Sequence, residues 1–383
     1  MFNKKEDLIQ VRRHLHQIPE LALQEQETAS YLRQLIAQLP QDYLIVETVP
    51  KLPTAILVRV QGIKPKRTIG YRADMDALPV QESSSCQYGS QHAGVMHACG
   101  HDFHLTIALA VLAYFAQHQP VDNLVFFFQP AEESQSGAKI AYQEQAFTGA
   151  FQVDEFYALH VKDDLPVGKI GCRVGTLFAG TTEVNVDVCG VGGHAAAPQR
   201  ARDVIVAAAQ FVTQVQTIIA RSIDPLASGV ITFGKLNAGS IRNVIADHAR
   251  LEGTIRGLDQ AMIEQIKQRL QEIANGVANS FQVKVDVKFN QGGYLPVVNQ
   301  VEITTSFIDY LQQNPQVSFV QTAPAMTGED FGYLLSKIPG MMFWLGVQSP
   351  SGLHTAGFEP NEAALTVGVK TVIGWLKQRM EEK

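Results

Sequence analysis

The sequence predicts an α/β protein: a large domain with a mixed sheet flanked by helices, plus an inserted satellite domain of the ferredoxin-like βαββαβ kind. Three observations carry that expectation. The first half contains short, almost wholly apolar runs, NLVFFFQP from Asn123 and DEFYALHV from Asp154, the pattern of strands covered on both faces. From about Thr181 the pattern changes to half-exposed alternating strands and amphipathic helices in the order β-α-β-β-α-β. Beyond about residue 290 the buried pattern returns, as in GMMFWLGV from Gly340. The expected boundaries are residues 1–179 and 291–383 for the large domain and 180–290 for the satellite domain.

Taken in order, residues 5–39 alternate charge with Leu and Ile at helical spacing and are broken at Pro19. That predicts a helix, a corner at IPEL where Leu21 docks, and a second helix from about Gln24 to Leu39. AILVRV (55–60) and TIGYRA (68–73) read as strands, and LTIALAVLAYF (105–115) as a buried helix. In the satellite domain TTEVNVDVCG, SGVITFGKL, HARLEGTIRG and FQVKVDVKF are strands, with helices over ARDVIVAAAQFVTQVQTIIARS and DQAMIEQIKQRLQEIANGVANS. VEITTSFIDYLQQN is a helix, and a terminal helix follows Asn361. Glu329 and Asp330 are placed to cap a short helix beginning at Phe331.

Composition narrows the function classes. With 383 residues the chain has room for two domains that each bury a core. Hydrophobic residues make up 46% and charged ones 18%, which excludes a disordered chain. A net charge of −6 with no long basic run argues against a nucleic-acid partner. The N-terminus MFNKKEDLIQVRRHLHQ carries charges where a secretory signal needs an apolar core, and no apolar stretch is expected to reach the roughly 18 to 20 residues of a bilayer span. The expectation is a cytoplasmic protein with no membrane partner. Cys86, Cys99, Cys172 and Cys189 lack a disulfide-framework spacing, so reduced thiols are expected.

The chemistry gathers around MHACGHDFH (96–104). Cys99 and His101 lie two apart, flanked by His97, Asp102 and His104 at the entrance to the apolar helix. Thiolate and imidazole are strong ligands for zinc and neighbouring first-row metals. Alone the cluster is weak, since a helix-start histidine is often structural and a lone cysteine is usually a small buried hydrophobe. Further candidates sit at strand ends. Asp74 and Asp76 close the strand TIGYRA, and one of them is expected to be a solvated turn or cap carboxylate. Glu132 and Glu133 follow NLVFFFQP and His160 ends DEFYALHV, where α/β folds collect function. His354 lies in SGLHT. In the satellite domain, His194 in GVGGHAAAP, Arg242 and Asn243 in SIRNVIAD, and Arg256 at a strand end lie on connections that suggest a shared ligand-facing edge.

HLHQIPEL, RADMDALP, MHACGHDFH, QPAEE, ALHV, GGHAAAP, MTGEDF and GLHTA occur in the order that resembles the metal-dependent amidohydrolase and aminoacylase-like metallopeptidase family. The resemblance covers essentially the whole chain. Within the family, HDFHLTIALAVLAYFAQH, GTLFAGTTEV and MTGEDFGYLLSKIPGMMFWLGVQSPSGLH look most like the bacterial N-acetyldiaminopimelate deacetylases. The resemblance implies two divalent metal ions (zinc, manganese, cobalt or nickel) bound by Cys99, His101, Glu133, His160 and His354, with Glu132 as general base. Cys99 stands where related peptidases carry a bridging aspartate. Asp76 matches the supporting aspartate by its spacing to Leu78-Pro79, but Asp74-Met75-Asp76 departs from the usual pattern and leaves Asp74 and Asp76 both open for that role.

The resemblance further implies a small-molecule N-acyl amino acid substrate, His194 at the oxyanion, Asn243 and Arg256 at the substrate, and a homodimer through the satellite domain. The expected reaction removes acetate from N-acetyl-LL-2,6-diaminopimelate. Two alternatives stay open: the same chemistry on another N-acyl amino acid or a dipeptide, and a non-catalytic metal-binding scaffold. Retention of Glu132 speaks against the last, because a purely structural site has no use for a base.

Overall fold

The apolar run Asn123–Gln129 forms a strand in which every residue is buried, inside an eight-stranded mixed sheet. A computed structural model of the chain describes residues 4–84 and 86–382. Across the sheet the strands run Leu44–Val49, Leu52–Val60, Asn123–Gln129, Thr68–Asp74, Glu155–Lys162, Gly340–Gly346, Lys169–Cys172 and Ser318–Gln321. Four of them, from Asn123–Gln129 to Gly340–Gly346, are mutually parallel. Their neighbours Leu52–Val60 and Lys169–Cys172 are antiparallel to them. Parallel strands end on a common edge, so Asp74, Gln129, Lys162 and Gly346 finish on one side of the sheet.

Helices cover this sheet because its strands are apolar on both faces. His101–Gln117 is buried nearly all round, as its continuous apolar sequence requires, and it packs against Lys5–Gln17 and Ala363–Glu381. This unit holds the chain up to Leu177, Val297–Ala323 and Asp330 onward.

A second unit comprises Phe178–Pro296 and Pro324–Glu329. Its sheet runs Gly229–Ala238, His248–Gly257, Gly180–Cys189, Lys284–Asn290, with every pair antiparallel. The helices Val204–Ser222 and Gln260–Phe281 complete the βαββαβ order. Alternation buries Val184, Val186 and Val188, which share a core with Phe211, Val215, Leu251, Ile255 and Ile266. Side chains of Asp203 and Asp259 accept backbone N–H groups at the two helix starts.

Three expectations change. The helix Val204–Ser222 is long and apolar enough to cross a membrane by length and composition, contrary to the expectation that no such stretch exists. In the fold it is amphipathic: Val204, Ala207, Ala208, Phe211, Val215 and Ile218 face the core at helical spacing, while Gln210, Thr213, Gln214 and Thr217 are exposed. Asp330 does not cap the helix Phe331–Leu335, because its backbone is already helical and its carboxylate turns into the interior. Periodicity also missed the edge strand Leu44–Val49, whose middle residues are exposed, and strands only four residues long such as Lys169–Cys172 and Ser318–Gln321.

Candidate metal centre

Gly100 makes the central cluster sterically allowed. Its φ is +80°, and a Cβ there would lie 2.6 Å from Val161 Cγ2, so a side chain is excluded between Cys99 and His101. The turn lets Cys99, just before the helix, and His101, its first residue, offer donor atoms to one region. His160 arrives from the end of the strand Glu155–Lys162. His354 comes from a loop with φ +62°, where its N–H donates to the Ala98 carbonyl at 2.8 Å. Glu132 and Glu133 follow Ala131, another non-glycine residue with positive φ, at +60°. Such backbone is unfavourable for a residue with a Cβ and persists only where surrounding contacts hold it.

These side chains converge on the Cys99 sulfur. Sγ lies 3.4 Å from His160 Nε2 and 3.3 Å from His354 Nε2. Glu133 Oε1 is 3.6 Å from His354 Nε2 and 3.8 Å from His101 Nε2. Cys99, His101 and His160 have donor atoms within 4.8 Å of one another, and so do Cys99, Glu133 and His354. Cys99 belongs to both triads. His101, Glu132 and Glu133 form a third group at the same spacing, which puts Glu132 beside the donors.

An outer set of hydrogen bonds aims the donors. His101 Nδ1–H donates to the Asp76 carbonyl at 2.8 Å, leaving Nε2 as the donor atom. His160 Nδ1–H donates to the Val161 carbonyl at 2.7 Å, with the same result. The Asp76 carboxylate accepts the N–H groups of Glu132 and Glu133, each at 2.9 Å, and so fixes the turn that carries both. Asp74 accepts from Arg72 and from His104 Nδ1, both at 2.6 Å. His104 Nε2 in turn accepts the Val161 N–H at 3.0 Å, which uses both ring nitrogens and removes His104 from the donors. Arg72 also reaches Gln129 and Asp330, and the Asp330 N–H donates to Glu132 Oε1 at 3.3 Å. Asp74 and Asp76 are both buried, so neither is a solvated turn carboxylate.

The electrostatics fit a cation. His101 Nε2 is buried without a hydrogen-bond partner, an arrangement that is costly in a protein interior. Burial lowers the affinity of His101 for its proton, but Asp74, Asp76 and Glu133 outweigh that and push it up to about 10. Burial, followed by the negative charge of Glu133, Glu132 and Asp74, pushes the Cys99 thiol well up. Burial, reinforced by Asp76 and Asp74 against His101, raises Glu133 to about 7. A pocket that resists holding this much negative charge is one where a divalent cation relieves the cost and deprotonates the thiol. A thiolate, three imidazoles and a carboxylate are also the donor types that first-row divalent metals take.

The other polar residues of MHACGHDFH have different places. His97 is buried with neither ring nitrogen bonded, and burial pushes it down to about 3. Asp102 pairs with Arg12 and with His16 Nδ1, at 2.9 and 2.7 Å. In the second unit, His194 and Asn243 are neighbours on paired segments: Val244 pairs with His194, and the Ala195 N–H donates to the Asn243 carbonyl at 3.1 Å. His194 is exposed, and its Nδ1 accepts the Ala196 N–H. Arg242 is exposed as well. Arg256 lies on another strand, half-buried, and donates to Thr181 Oγ1 and the Met326 carbonyl, so it does not join His194 and Asn243 on their ribbon.

Sequence reasoning missed Arg72, Gln129 and Glu25. Each reads as an ordinary strand or helix-start residue, and its partners lie up to 258 positions away.

Comparison with known proteins converges on one group. The model of peptidase family M20/M25/M40 matches residues 70–378. The chain is 59% identical over 377 residues to the N-acetyldiaminopimelate deacetylase of Lactobacillus acidophilus, covering 98% of each. A putative aminohydrolase from methicillin-resistant Staphylococcus aureus superposes with a TM-score of 0.91 at 31% identity, covering 98% of this chain and 97% of that one. The Bacillus subtilis YXEP protein, described as a dinuclear metal-binding peptidase of the M20 family, gives 0.86 at 28% identity with 98% of each chain covered.

Proposed function

The chain belongs to peptidase family M20/M25/M40, and from that premise we propose that it is a two-metal deacetylase acting on N-acetyl-LL-2,6-diaminopimelate. The observation that carries the chemistry is the sharing of Cys99 by two donor triads with Glu132 alongside. The substrate class follows the deacetylases to which the chain is 59% identical over nearly its whole length. Cys99, His101, Glu133, His160 and His354 would hold the ions. When bound, a pair of divalent ions supplies a water that is nucleophilic near neutral pH and relieves charge on the carbonyl oxygen.

The protein's own groups account for the proton movements. Glu132 takes a proton from the attacking water and delivers it to the amine nitrogen as the amide C–N bond breaks, releasing acetate and the free amino acid. In this reading Asp76 is the supporting aspartate, because its carboxylate fixes the backbone of both glutamates. Asp74 acts one layer further out, balanced by Arg72 and His104. His194 supplies an oxyanion donor, and Asn243 and Arg256 are substrate-contacting groups.

The second unit also supports a homodimer. Its edge strand Gly229–Ala238 exposes Val230 and Leu236, while the opposite edge, Lys284–Asn290, is guarded by Lys284, Asp286 and Lys288. Lys235 and a bulge between Phe233 and Lys235 interrupt the Gly229–Ala238 edge at one point, and two copies pairing along the apolar remainder would cover Val230 and Leu236. Sedimentation of wild type beside Val230→Lys tests this, with dimer expected for the first and monomer for the second.

The deciding experiment measures kcat/KM on N-acetyl-LL-diaminopimelate, hippurate and N-acetylmethionine with metal-loaded protein. The proposal expects the first to be preferred. A preference for hippurate or N-acetylmethionine would move the protein to the broader N-acyl amino acid hydrolases with the mechanism intact.

A further inference from the structure

We propose that Glu25, at the end of the corner Glu20–Glu25, is a positioning residue that sets the backbone of the turn carrying Glu132 and Glu133; the role rests on the deacetylase reading above. The corner grips both loops of the centre. The Glu20 carbonyl accepts the N–H of Ala77 at 2.7 Å, and Leu21 pairs with Ala77 in a parallel bridge, which locates the residue immediately after Asp76. Glu25 Oε1 accepts the N–H of Ala131 at 2.9 Å, immediately before Glu132. The same oxygen accepts the Leu23 N–H at 2.9 Å, and Oε2 accepts from Thr54 Oγ1 at 3.0 Å.

Glu25 immediately precedes the helix Gln26–Ala37, where a carboxylate normally caps the first N–H groups. Here the Glu20 carboxylate takes the N–H groups of Glu27 and Thr28 instead. The Glu25 side chain is thereby directed inward, and it is wholly buried. Leu23 at φ +64° and Ala131 at φ +60° are the two backbone positions that Oε1 bridges, so one carboxylate oxygen stabilises two unfavourable conformations. The Leu23 and Ala131 N–H groups and the Thr54 hydroxyl, from which its two oxygens accept, are all neutral, so its value to the fold lies in hydrogen-bond geometry; burial and the nearby charge of Asp76 also raise the carboxyl to about 7.

An amide should therefore replace the carboxyl. The carbonyl oxygen of a glutamine can still accept from Leu23 and Ala131 while its NH2 meets Thr54 Oγ1.

The test compares Glu25→Ala, Glu25→Gln and Thr54→Val in the full chain loaded with cobalt(II). Each variant is read by the visible ligand-field spectrum, cobalt affinity by equilibrium dialysis, and kcat and KM on N-acetyl-LL-diaminopimelate. Glu25→Ala should lower kcat by roughly 10- to 100-fold with KM changed less than about threefold, and should shift the cobalt spectrum, because the base and a ligand are displaced together. Glu25→Gln should recover the wild-type spectrum and kcat to within about fivefold, and Thr54→Val should lower kcat by about two- to tenfold, the worth of one hydrogen bond.

A wild-type spectrum and kcat in folded Glu25→Ala would overturn the proposal, as would a Glu25→Gln protein impaired as badly as the alanine variant. If Glu25→Ala does not fold, Thr54→Val carries the test, and wild-type values in that variant overturn it. Absence of wild-type activity on this substrate would defeat the substrate reading instead, while the cobalt spectrum and affinity would still judge Glu25.

Discussion

Arg72 and Arg250 are both strand arginines paired with carboxylates, but the Arg72 side chain is fully buried between Asp74 and Asp330, whereas that of Arg250 is 31% exposed beside Asp187 and Glu252. The contrast runs through the two units. In the first, Asp74, His101 and Asp330 are wholly buried and tied to one another through a few shared partners. In the second, His194, Arg242 and Asn243 lie on exposed connections. Charges taken out of water must be matched in place, and that matching fixes donor atoms for a metal. Exposed groups carry no such requirement, which suits the substrate-contacting role proposed for His194 and Asn243.

The contrast can be broken at several points. The largest effect expected is from chelation: removing divalent metal should abolish hydrolysis, and adding it back should restore it, with the second unit's fold untouched in near-UV spectra. Full activity in thoroughly stripped protein would sink the donor assignment. Next, Arg72→Met leaves two carboxylates without their cation and should lower unfolding free energy by about 3–5 kcal/mol in a denaturant titration. Arg250→Met, the exposed counterpart, should cost less than about 1 kcal/mol; equal losses would mean that burial does not distinguish the two pairs. His194→Ala should reduce kcat by about 10²-fold, as loss of an oxyanion donor does, with metal content unchanged. Normal turnover in that variant would take His194 out of the mechanism.

Much of the fold was legible because burial writes itself into short apolar runs: NLVFFFQ and GMMFWLG are strands with every residue buried. The βαββαβ order was legible too, since His248–Gly257 alternates and Gln260–Phe281 is amphipathic. Leu44–Val49 was not, because an edge strand with exposed Ile45 and Val46 has neither pattern. Around the centre, the Cys-x-His pair at a helix entrance pointed to Cys99 and His101, residue types after strands pointed to Glu132, Glu133 and His160, the family resemblance added His354, and the fold gathers them. The partners that aim them were hidden. Asp330 reads as a helix cap, and only the tertiary fold brings Arg72 and Gln129 to its carboxylate. The sequence leaves Asp74 and Asp76 both open for the supporting role, yet one ends its strand facing Arg72 and His104 while the other turns to the N–H groups of Glu132 and Glu133.

The central claim is that two adjacent glutamates on one braced turn have different tasks, and metal content measured beside turnover in Glu132→Gln and Glu133→Gln tests it most directly. Glu132→Gln should keep wild-type metal content while kcat falls by about 10² to 10⁴-fold, the usual worth of a general base. Glu133→Gln should lose metal first and activity as a consequence, with partial recovery at high metal concentration. Metal loss in Glu132→Gln together with full occupancy in Glu133→Gln would contradict the assignment and exchange the two roles.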